Sequence, residues 1–87
     1  MRFEFDPGKS AANLAKHGID FVEPQRLWDD PRLFIFVART EEETRYLAVG
    51  QLGDRCWSAV YTPRRDRVRL ISVRHARRLE IERYESQ

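Results

Sequence analysis

The sequence predicts an α+β domain in which an antiparallel sheet of four to five strands is layered with helices. Two observations favour this class. Helix start and stop signals occupy residues 6–31, and four strand-like stretches separated by short turns occupy residues 32–74. A charged helix follows, so the expected element order is β-α-α-β-β-β-β-α. The chain has 87 residues, which suits a single domain spanning residues 1–87.

The N-terminal elements are predicted by alternation and by capping residues. Phe3 and Phe5 alternate with polar residues in a short first strand over residues 1–5. Asp6 before Pro7 predicts the start of a helix that runs to residue 17, where Gly18 would end it in a left-handed cap. One face of this helix carries Ala11, Leu14 and Ala15, and the opposite face carries Lys9, Asn13 and Lys16.

A second short helix is expected over residues 20–29. Asp20 and Glu23 have the spacing of a capping box. Pro24 leaves the start of the helix open, because a proline is comfortable only in the first turn. The step from Asp30 to Pro31 ends the element, since the residue before a proline leaves the helical region.

Regularly spaced strands occupy most of the remaining chain. An acidic turn at residues 40–44, the Gly53-Asp54 pair and residues 63–66 separate them. Such spacing favours an antiparallel meander. Arg78 and Glu82 lie four apart in the last helix and are expected to pair. The predicted strands cover residues 32–38, 45–52, 55–62 and 67–74, and the final helix covers residues 76–85.

The positive charge is concentrated in arginine and in the second half of the chain. There are 14 Arg and 2 Lys, and eight of the arginines fall within residues 64–83. Residues 1–43 carry a net charge of −3 and residues 44–87 a net charge of +5. Guanidinium groups match phosphate oxygens in a bidentate geometry, so this pattern favours a nucleic-acid or acidic partner. The alternative is a solvated surface on which the charges pair with one another.

Cysteine usage and hydropathy favour a cytoplasmic protein. The single Cys56 cannot form an internal disulfide and is expected to be a small buried hydrophobe. We expect no signal peptide, because the N-terminal residues have the pattern of a short strand, and no apolar stretch of the sequence reaches membrane-spanning length. We expect no metal site and no cofactor, since the usual cysteine pairs and glycine-rich phosphate loops are absent.

The strand over residues 67–74 is the main candidate for an anion site. Arginines on this strand, with Arg77 and Arg78 on the following helix, could form a phosphate cradle. The alternative is an edge strand that charge protects from aggregation. Strict alternation places Arg67, Arg69, Ile71 and Val73 on one side and Val68, Leu70, Ser72 and Arg74 on the other.

Several other side chains have two readings. His17 suits proton transfer near neutral pH, yet a histidine in the last turn of a helix is also a common cap. His75 is expected to be solvated or to bind phosphate. Glu80 and Tyr84 lie one turn apart and either act as an acid/base pair or anchor the helix to the sheet; Tyr84 could also stack on a base. Trp28 and Trp57 are core candidates before they are stacking platforms.

A set of short motifs lies in order along almost the whole chain. The motifs are Phe3-Glu4-Phe5-Asp6-Pro7, Lys9, Asn13, Lys16-His17-Gly18, Phe21, Asp29-Asp30-Pro31, Glu43-Thr44-Arg45, the run from Arg67 to Arg74, Ala76, and Glu80 with Tyr84-Glu85. Together they resemble the BrnT family of type II toxin–antitoxin toxins.

This resemblance implies a RelE-like ribonuclease toxin that cleaves RNA without metal and inhibits translation. It implies a BrnA-like ribbon-helix-helix antitoxin as partner, contact with operator DNA only through that antitoxin, and a possible homodimer of the toxin within the complex. By matching positions, it implies functional roles for Lys16, His17, Arg45, Arg69 and Arg74. Further substrate contacts are expected from Lys9, Arg67, Arg77, Arg78 and Tyr84.

The expected chemistry is attack of a ribose 2′-OH on the adjacent phosphorus. His17 or Lys16 would help to deprotonate the hydroxyl, and Arg45, Arg69 and Arg74 would stabilise the phosphoryl charge. The acid that protonates the leaving oxygen stays open among an arginine, Lys16, Tyr84 and water. The alternatives to a nuclease are a nucleic-acid-binding module without turnover and a degenerate toxin kept as an interaction partner.

Overall fold

The predicted α+β class is confirmed by the computed structural model, which describes residues 1–39 and 42–87. Helices lie on both sides of a five-stranded sheet. The elements in chain order are β1 (Arg2–Glu4), α1 (Pro7–His17), a 3-10 helix (Glu23–Asp29), β2 (Phe34–Arg39), β3 (Arg45–Leu52), β4 (Arg55–Arg64), β5 (Arg67–His75) and α2 (Arg78–Glu85).

The sheet has the order β1-β5-β4-β3-β2. The last four strands form the predicted antiparallel meander, and β1 joins its far side parallel to β5. The bounds of β3 are those predicted, whereas β4 and β5 run further, to Arg64 and His75, so that their turn contains only Arg65 and Asp66. The final helix begins at Arg78, two residues later than expected.

Both predicted caps of α1 are confirmed. The Asp6 carboxylate accepts hydrogen bonds from the amides of Gly8 and Lys9, and Gly18 ends the helix at a φ of 79°. The face that the helix buries was not foreseen, because Ser10 and the polar Asn13 are buried while 52% of Leu14 is exposed. Hydrogen bonds to the backbone compensate the burial of these polar groups: Ser10 accepts from the Phe21 amide at 2.9 Å, and the bonds of Asn13 are described below.

The predicted second helix is a shorter 3-10 helix. Asp20 accepts hydrogen bonds from the amides of Val22 and Glu23, but the predicted capping box is wrong, because the N-cap of the helix is Val22, which makes no side-chain capping bond. Pro24 lies in the first turn, where its missing N–H costs nothing, and its ring is buried. The Asp30 backbone is extended, as expected before Pro31.

Two apolar clusters lie on opposite sides of the sheet. The larger one packs β3, β4 and β5 against the 3-10 helix and the segment after α1; it contains Phe21, Leu27 and Trp57. We call this side the α1 face. The smaller one lies on the side that we call the α2 face, where Tyr84 of α2 packs with Leu47 and Val49. Trp28 packs against the larger cluster, so both tryptophans are core residues as predicted.

Hydropathy gives one further result for the described part of the chain. Within residues 1–39 and 42–87, no helix is both long enough and apolar enough to cross a membrane.

Candidate functional site

A β-bulge in β5 decides which arginines share a face of the sheet. Val60 of β4 pairs with Ser72, and the next residue, Tyr61, pairs with Leu70. Ile71 is therefore an extra residue on β5. Because side chains alternate with a period of two, one extra residue reverses the alternation for the rest of the strand.

The predicted faces of β5 are correct before the bulge and wrong after it. Strict alternation grouped Val73 with Arg69 and grouped Arg74 with Val68. Instead, Val73 is fully buried and belongs, with Val68, to the cluster on the α1 face. Arg74 consequently shares the α2 face with Arg69, and the two residues that sequence parity separated lie on one surface.

Five arginines from three strands line the α2 face. Residues paired across an antiparallel ladder project to the same side. Ser58, which pairs with Arg74, and Thr62, which pairs with Arg69, are four residues apart on β4, so roughly 13 Å separates these two positions. Arg64 lies opposite Arg67, and Arg45 directly precedes Tyr46, which pairs with Tyr61. Four of the arginines are therefore grouped at the end of the sheet face away from Arg74, and the five do not ring one point. We call these five residues the arginine track; it comprises Arg45, Arg64, Arg67, Arg69 and Arg74.

Arg74 is held at the end of the arginine track that α2 covers. Its two terminal nitrogens donate to the two carboxylate oxygens of Glu80, each at 2.9 Å. Glu80 also accepts from the Ser58 hydroxyl at 2.8 Å and from the Arg77 amide at 2.9 Å. Only 23% of the Arg74 side chain and 13% of the Glu80 side chain are exposed. The guanidinium is therefore oriented before any ligand arrives.

The electrostatics of this pair favour the charged forms. Burial alone would raise the pKa of Glu80, but the hydrogen bonds from Arg74, the Arg77 amide and Ser58 outweigh it and lower the pKa to about 2. Glu80 is thus a carboxylate at neutral pH. It cannot act there as a general acid, and the alternative in which Glu80 anchors α2 to the sheet fits the contacts.

Arg69 and Arg67 share a carboxylate on β1. Glu4 is 2.9 Å from a terminal nitrogen of Arg69 and 3.9 Å from one of Arg67. The parallel pairing of Glu4 with Arg69 brings these side chains to the same side of the sheet. The β1 strand therefore positions the middle of the arginine track, a role that the sequence did not indicate.

Arg45 and Arg64 share a second carboxylate. Glu43 lies 3.9 Å from Arg45 and 3.4 Å from Arg64, and all three side chains are at least one-third exposed. Exposed pairs of this kind contribute little to stability, so a ligand can displace them at low cost. In the acidic turn predicted over residues 40–44, the Glu43 side chain is partly exposed, while Thr40 and Glu41 lie outside the described residues.

The basic residues of α1 belong to a helix that is attached to the edge of β5. Asn13 of α1 donates to the Val73 carbonyl at 2.9 Å and accepts from the Val73 amide at 3.1 Å. Because β1 pairs only with the start of β5, these bonds join α1 to the open edge of β5 beyond β1. Lys9 and Lys16 are exposed and His17 is half-buried on this helix.

The contacts do not join α1 to the arginine track. In the part of the chain that the structure describes, the side chains of Lys9, Lys16 and His17 form no hydrogen bond or ion pair. The open edge of β5, where Asn13 holds α1 at Val73, lies next to Arg74. A ligand that reached both groups would have to cross that edge.

The candidate residues of α2 have varied surroundings. Tyr84 is 9% exposed and donates from its phenol to the Asp30 carboxylate. Burial, with that hydrogen bond, raises the pKa of Tyr84 to about 12. These contacts favour the anchoring alternative for Tyr84. Arg78 is almost fully exposed and pairs with Glu82 at 3.3 Å as predicted, and Arg77 is the exposed N-cap of α2.

His75 lies at the end of β5 and is exposed. Its Nδ1 is 2.8 Å from a terminal nitrogen of Arg55, and its ring lies 4.3 Å from that of Trp57. Because an arginine only donates, Nδ1 accepts in this contact.

Cys56 is half-buried beside the smaller cluster. Among the described residues, no group of three or more His, Cys, Asp and Glu side chains is arranged to hold a metal ion.

The sequence did not predict that Glu4, Glu80 and Asn13 position other parts of the site. Glu4 and Glu80 were noted only for their motif or helix spacing, and Asn13 only as part of a polar helix face. For Asn13, a signal was available: it is a polar residue at the position where α1 must contact the sheet. The partners of Glu4 and Glu80 are distant in sequence or depend on the bulge, so no local pattern could indicate them.

The fold and this surface define a small α+β domain with one sheet face suited to a polyanion. Comparison with known protein families identifies the family to which this domain belongs. The family described as "Ribonuclease toxin, BrnT, of type II toxin-antitoxin system" matches residues 5–80. The chain therefore belongs to the BrnT family, a family of ribonuclease toxins whose systems include an antitoxin. Among curated proteins, none matches the chain.

Proposed function

We propose that residues 1–87 act as one toxin domain in the cytoplasm, which cleaves RNA without a metal ion and so inhibits translation. A BrnA-like ribbon-helix-helix antitoxin would neutralise it and would supply all contact with operator DNA, with a toxin homodimer possible inside the complex. The observation that carries the proposal is the arginine track. It offers five permanently charged guanidinium groups on one sheet face to a phosphodiester strand.

The proposed reaction begins with attack of a ribose 2′-OH on the adjacent phosphorus. The bond from phosphorus to the 5′ oxygen of the next nucleotide then breaks, which leaves a 2′,3′-cyclic phosphate and a free 5′-hydroxyl. Arg45, Arg69 and Arg74 would stabilise the growing phosphoryl charge, and one well-placed donor of this kind is worth about 3–4 kcal/mol. Several arginines can supply the charge that a metal clamp supplies elsewhere.

The distance between Arg69 and Arg74 assigns different roles to the arginines of the track. Since roughly 13 Å separates the positions of Arg69 and Arg74, these two residues suit different phosphates of one strand or opposite sides of one nucleotide. Arg74, oriented by Glu80, suits the reacting phosphate because a pre-oriented donor needs no reorganisation. Arg45 and Arg69, which have more exposure, suit capture and positioning of the strand.

The proton transfers involve fewer candidates than the sequence left open. We keep His17 and Lys16 as the proposed base, which requires the ribose to lie across the open edge of β5. Tyr84 is not retained as acid, because its phenol is buried and already donates to Asp30. The leaving oxygen would take its proton from an arginine, from Lys16 or from water.

A non-catalytic RNA-binding protein is the second candidate function. It is favoured by two observations: among the described residues, Lys16 and His17 make no hydrogen bond or ion pair with the arginine track, and each arginine of the track contacts a carboxylate. Such a protein would show salt-dependent affinity for RNA without turnover.

The deciding experiment incubates the purified protein with single-stranded RNA and a chelator and looks for 2′,3′-cyclic phosphate ends. Arg69→Gln, purified in parallel, controls for contaminating nucleases and should lose most of the cleavage. Arg26→Gln, which removes an exposed arginine from the 3-10 helix, should cleave as the parent does. Binding without cyclic phosphate ends would favour the second candidate and contradict the first.

A second experiment tests the cellular role. Expression of the chain should stop growth and lower protein synthesis before RNA synthesis. Co-expression of a neighbouring ribbon-helix-helix reading frame should restore both. Growth arrest that this reading frame does not relieve would contradict the proposed partner.

A further inference from the structure

A hollow lies at the turn between β4 and β5, next to the arginine track. Its volume is about 570 Å³, and four guanidinium groups and two carboxylates give its lining a net charge of +2. Three strands and a turn supply these groups. The charged lining consists of Arg2, Glu4, Arg64, Arg65, Asp66 and Arg67. We call it the turn hollow.

We propose that the turn hollow binds a phosphodiester of the RNA strand other than the one that is cleaved. The inference rests on the proposed function and adds a binding subsite to it. Two of its arginines, Arg64 and Arg67, also belong to the arginine track, so the track leads directly into the hollow. The remaining two, Arg2 and Arg65, have no role in the proposed reaction.

Carboxylates of the protein already occupy anion positions in the hollow. Asp66 lies 3.3 Å from a terminal nitrogen of Arg2 and 3.9 Å from Nε of Arg67. An anion that bridges two guanidinium groups is therefore compatible with the geometry. The side chains of Arg2 and Asp66 are each 68% exposed, so these contacts are weak and a phosphate can replace the carboxylate.

The spacing fits neighbouring phosphates of one strand. Arg67 and Arg69 are two residues apart on a regular part of β5, which is about 7 Å. Glu4 contacts both of them, at 3.9 Å and 2.9 Å, so the hollow and the middle of the track are joined by one shared carboxylate. Adjacent phosphates of an extended RNA strand are separated by a similar distance.

In the turn between β4 and β5, Arg65 occupies a backbone conformation that favours glycine or asparagine. Arg65 has a φ of 56°, in the left-handed region that glycine or asparagine adopts most readily. Non-glycine residues in this region cluster at functional positions. An exposed, strained arginine that lines a basic hollow is consistent with selection for binding and not for folding.

The test uses Arg65→Gly and Arg2→Gln, with Arg26→Gln as the matched control. Arg65→Gly removes the charge and relaxes the backbone, so it should leave thermal stability unchanged or raise it. Arg26 is 71% exposed, close to the value for Arg2, but lies on the 3-10 helix. The three variants therefore remove one positive charge each from exposed positions, in or away from the hollow.

Binding is measured with a 2′-O-methylated single-stranded RNA of about 12 nucleotides, which cannot be cleaved and is long enough to reach beyond one binding position. Arg65→Gly and Arg2→Gln should each weaken binding several-fold, and together about tenfold or more. Log affinity decreases as log salt concentration increases. The magnitude of this slope should be smaller by about 0.7 for each phosphate of the single strand that the variant no longer neutralises. Arg26→Gln should change neither quantity.

Cleavage of the unmodified RNA, measured over a range of concentrations up to saturation, completes the test. In the double variant, KM should rise in parallel with the dissociation constant and kcat should stay within about twofold of the parent value, because the variant weakens uniform binding and leaves the reacting centre untouched. A fall in kcat with unchanged affinity would overturn the proposal, since these arginines would then act on the chemistry.

The remaining outcomes separate this proposal from the proposed function. If the parent neither binds nor cleaves RNA, both fail. If the parent is active and the double variant has the same affinity and salt slope, only the turn hollow fails. Unchanged RNA binding together with weaker binding of the cognate antitoxin would make the hollow a protein-binding site and would also overturn the proposal.

Discussion

Arg74 and Glu80 form a bidentate ion pair that joins β5 to the first turn of α2, with both nitrogen–oxygen distances at 2.9 Å. The pair is mostly buried and includes the Ser58 hydroxyl. It gives Arg74 two roles that experiment must separate: attachment of α2 and contact with a ligand. The sequence suggested only the second role.

Arg74→Ala and Glu80→Ala should both lower the free energy of unfolding, by about 2–3 kcal/mol, because each leaves a mostly buried charge without its opposite charge. Their effects on function should differ. Arg74→Ala should lower RNA cleavage by about a hundredfold or more because the guanidinium charge is removed, whereas Glu80→Ala keeps that charge. Urea unfolding and cleavage assays on both proteins measure this; an equal fall in cleavage in the two variants would show that Arg74 acts only by holding α2.

Acid should destabilise the protein through Glu80. The folded pKa of Glu80, about 2, is below its ordinary value of 4.5, so the carboxylate stabilises the fold above that ordinary value. The stabilisation is lost as the pH falls from about 5 towards 2, by about 2–3 kcal/mol. Unfolding measured at pH 7 and pH 3 should show a smaller acid destabilisation in Glu80→Gln than in the parent. An identical acid destabilisation in both would contradict this assignment.

Asn13→Ala should cost far more stability than Leu14→Ala, although leucine is the apolar residue. Asn13 binds the carbonyl of Ile19 at 2.8 Å and both backbone groups of Val73, and it is 8% exposed. Its removal leaves buried backbone groups unpaired, at a cost of about 2–4 kcal/mol. Replacement of half-exposed Leu14 should cost under about 1 kcal/mol. Chemical unfolding of the two variants decides, and the reverse order would show that the apolar face holds α1.

Tyr84→Phe should lower stability by about 1 kcal/mol and leave RNA cleavage unchanged, because only the hydrogen bond to Asp30 is removed. The packing of the ring with Leu47 and Val49 is kept. In alkali, the raised pKa of Tyr84 means that its contribution is present below about pH 10 and is lost as the pH rises through about 12. A tenfold fall in cleavage would instead restore Tyr84 as a substrate-binding residue.

His17→Ala tests whether proton transfer or helix capping explains the histidine. A base in the reaction would contribute about a hundredfold or more to the rate, and its removal would abolish one limb of the pH–rate profile. A cap would change stability by about 1 kcal/mol or less and leave the profile unaltered. Lys16→Gln, measured alongside, shows whether the neighbouring amine takes the role.

Much of the local structure is predictable from the sequence because its causes are local. Asp6 and Gly18 bound α1 through hydrogen bonds and a backbone angle that involve residues within a few positions. Turn residues set both ends of β3, as expected. The abundance of arginine after position 64 correctly indicated a basic surface, and the ordered motifs correctly indicated the family.

The composition of the site depended on contacts that no local pattern contains. One extra residue, Ile71, moves Arg74 to the face of Arg69 and sends Val73 to the core. The pairing of β1 with β5 brings Glu4 to Arg69 across 65 positions of the chain. Sequence by itself determined the secondary structure, the charge and the family; only the tertiary structure decided which charges share a surface, because strand register follows from packing across the whole sheet.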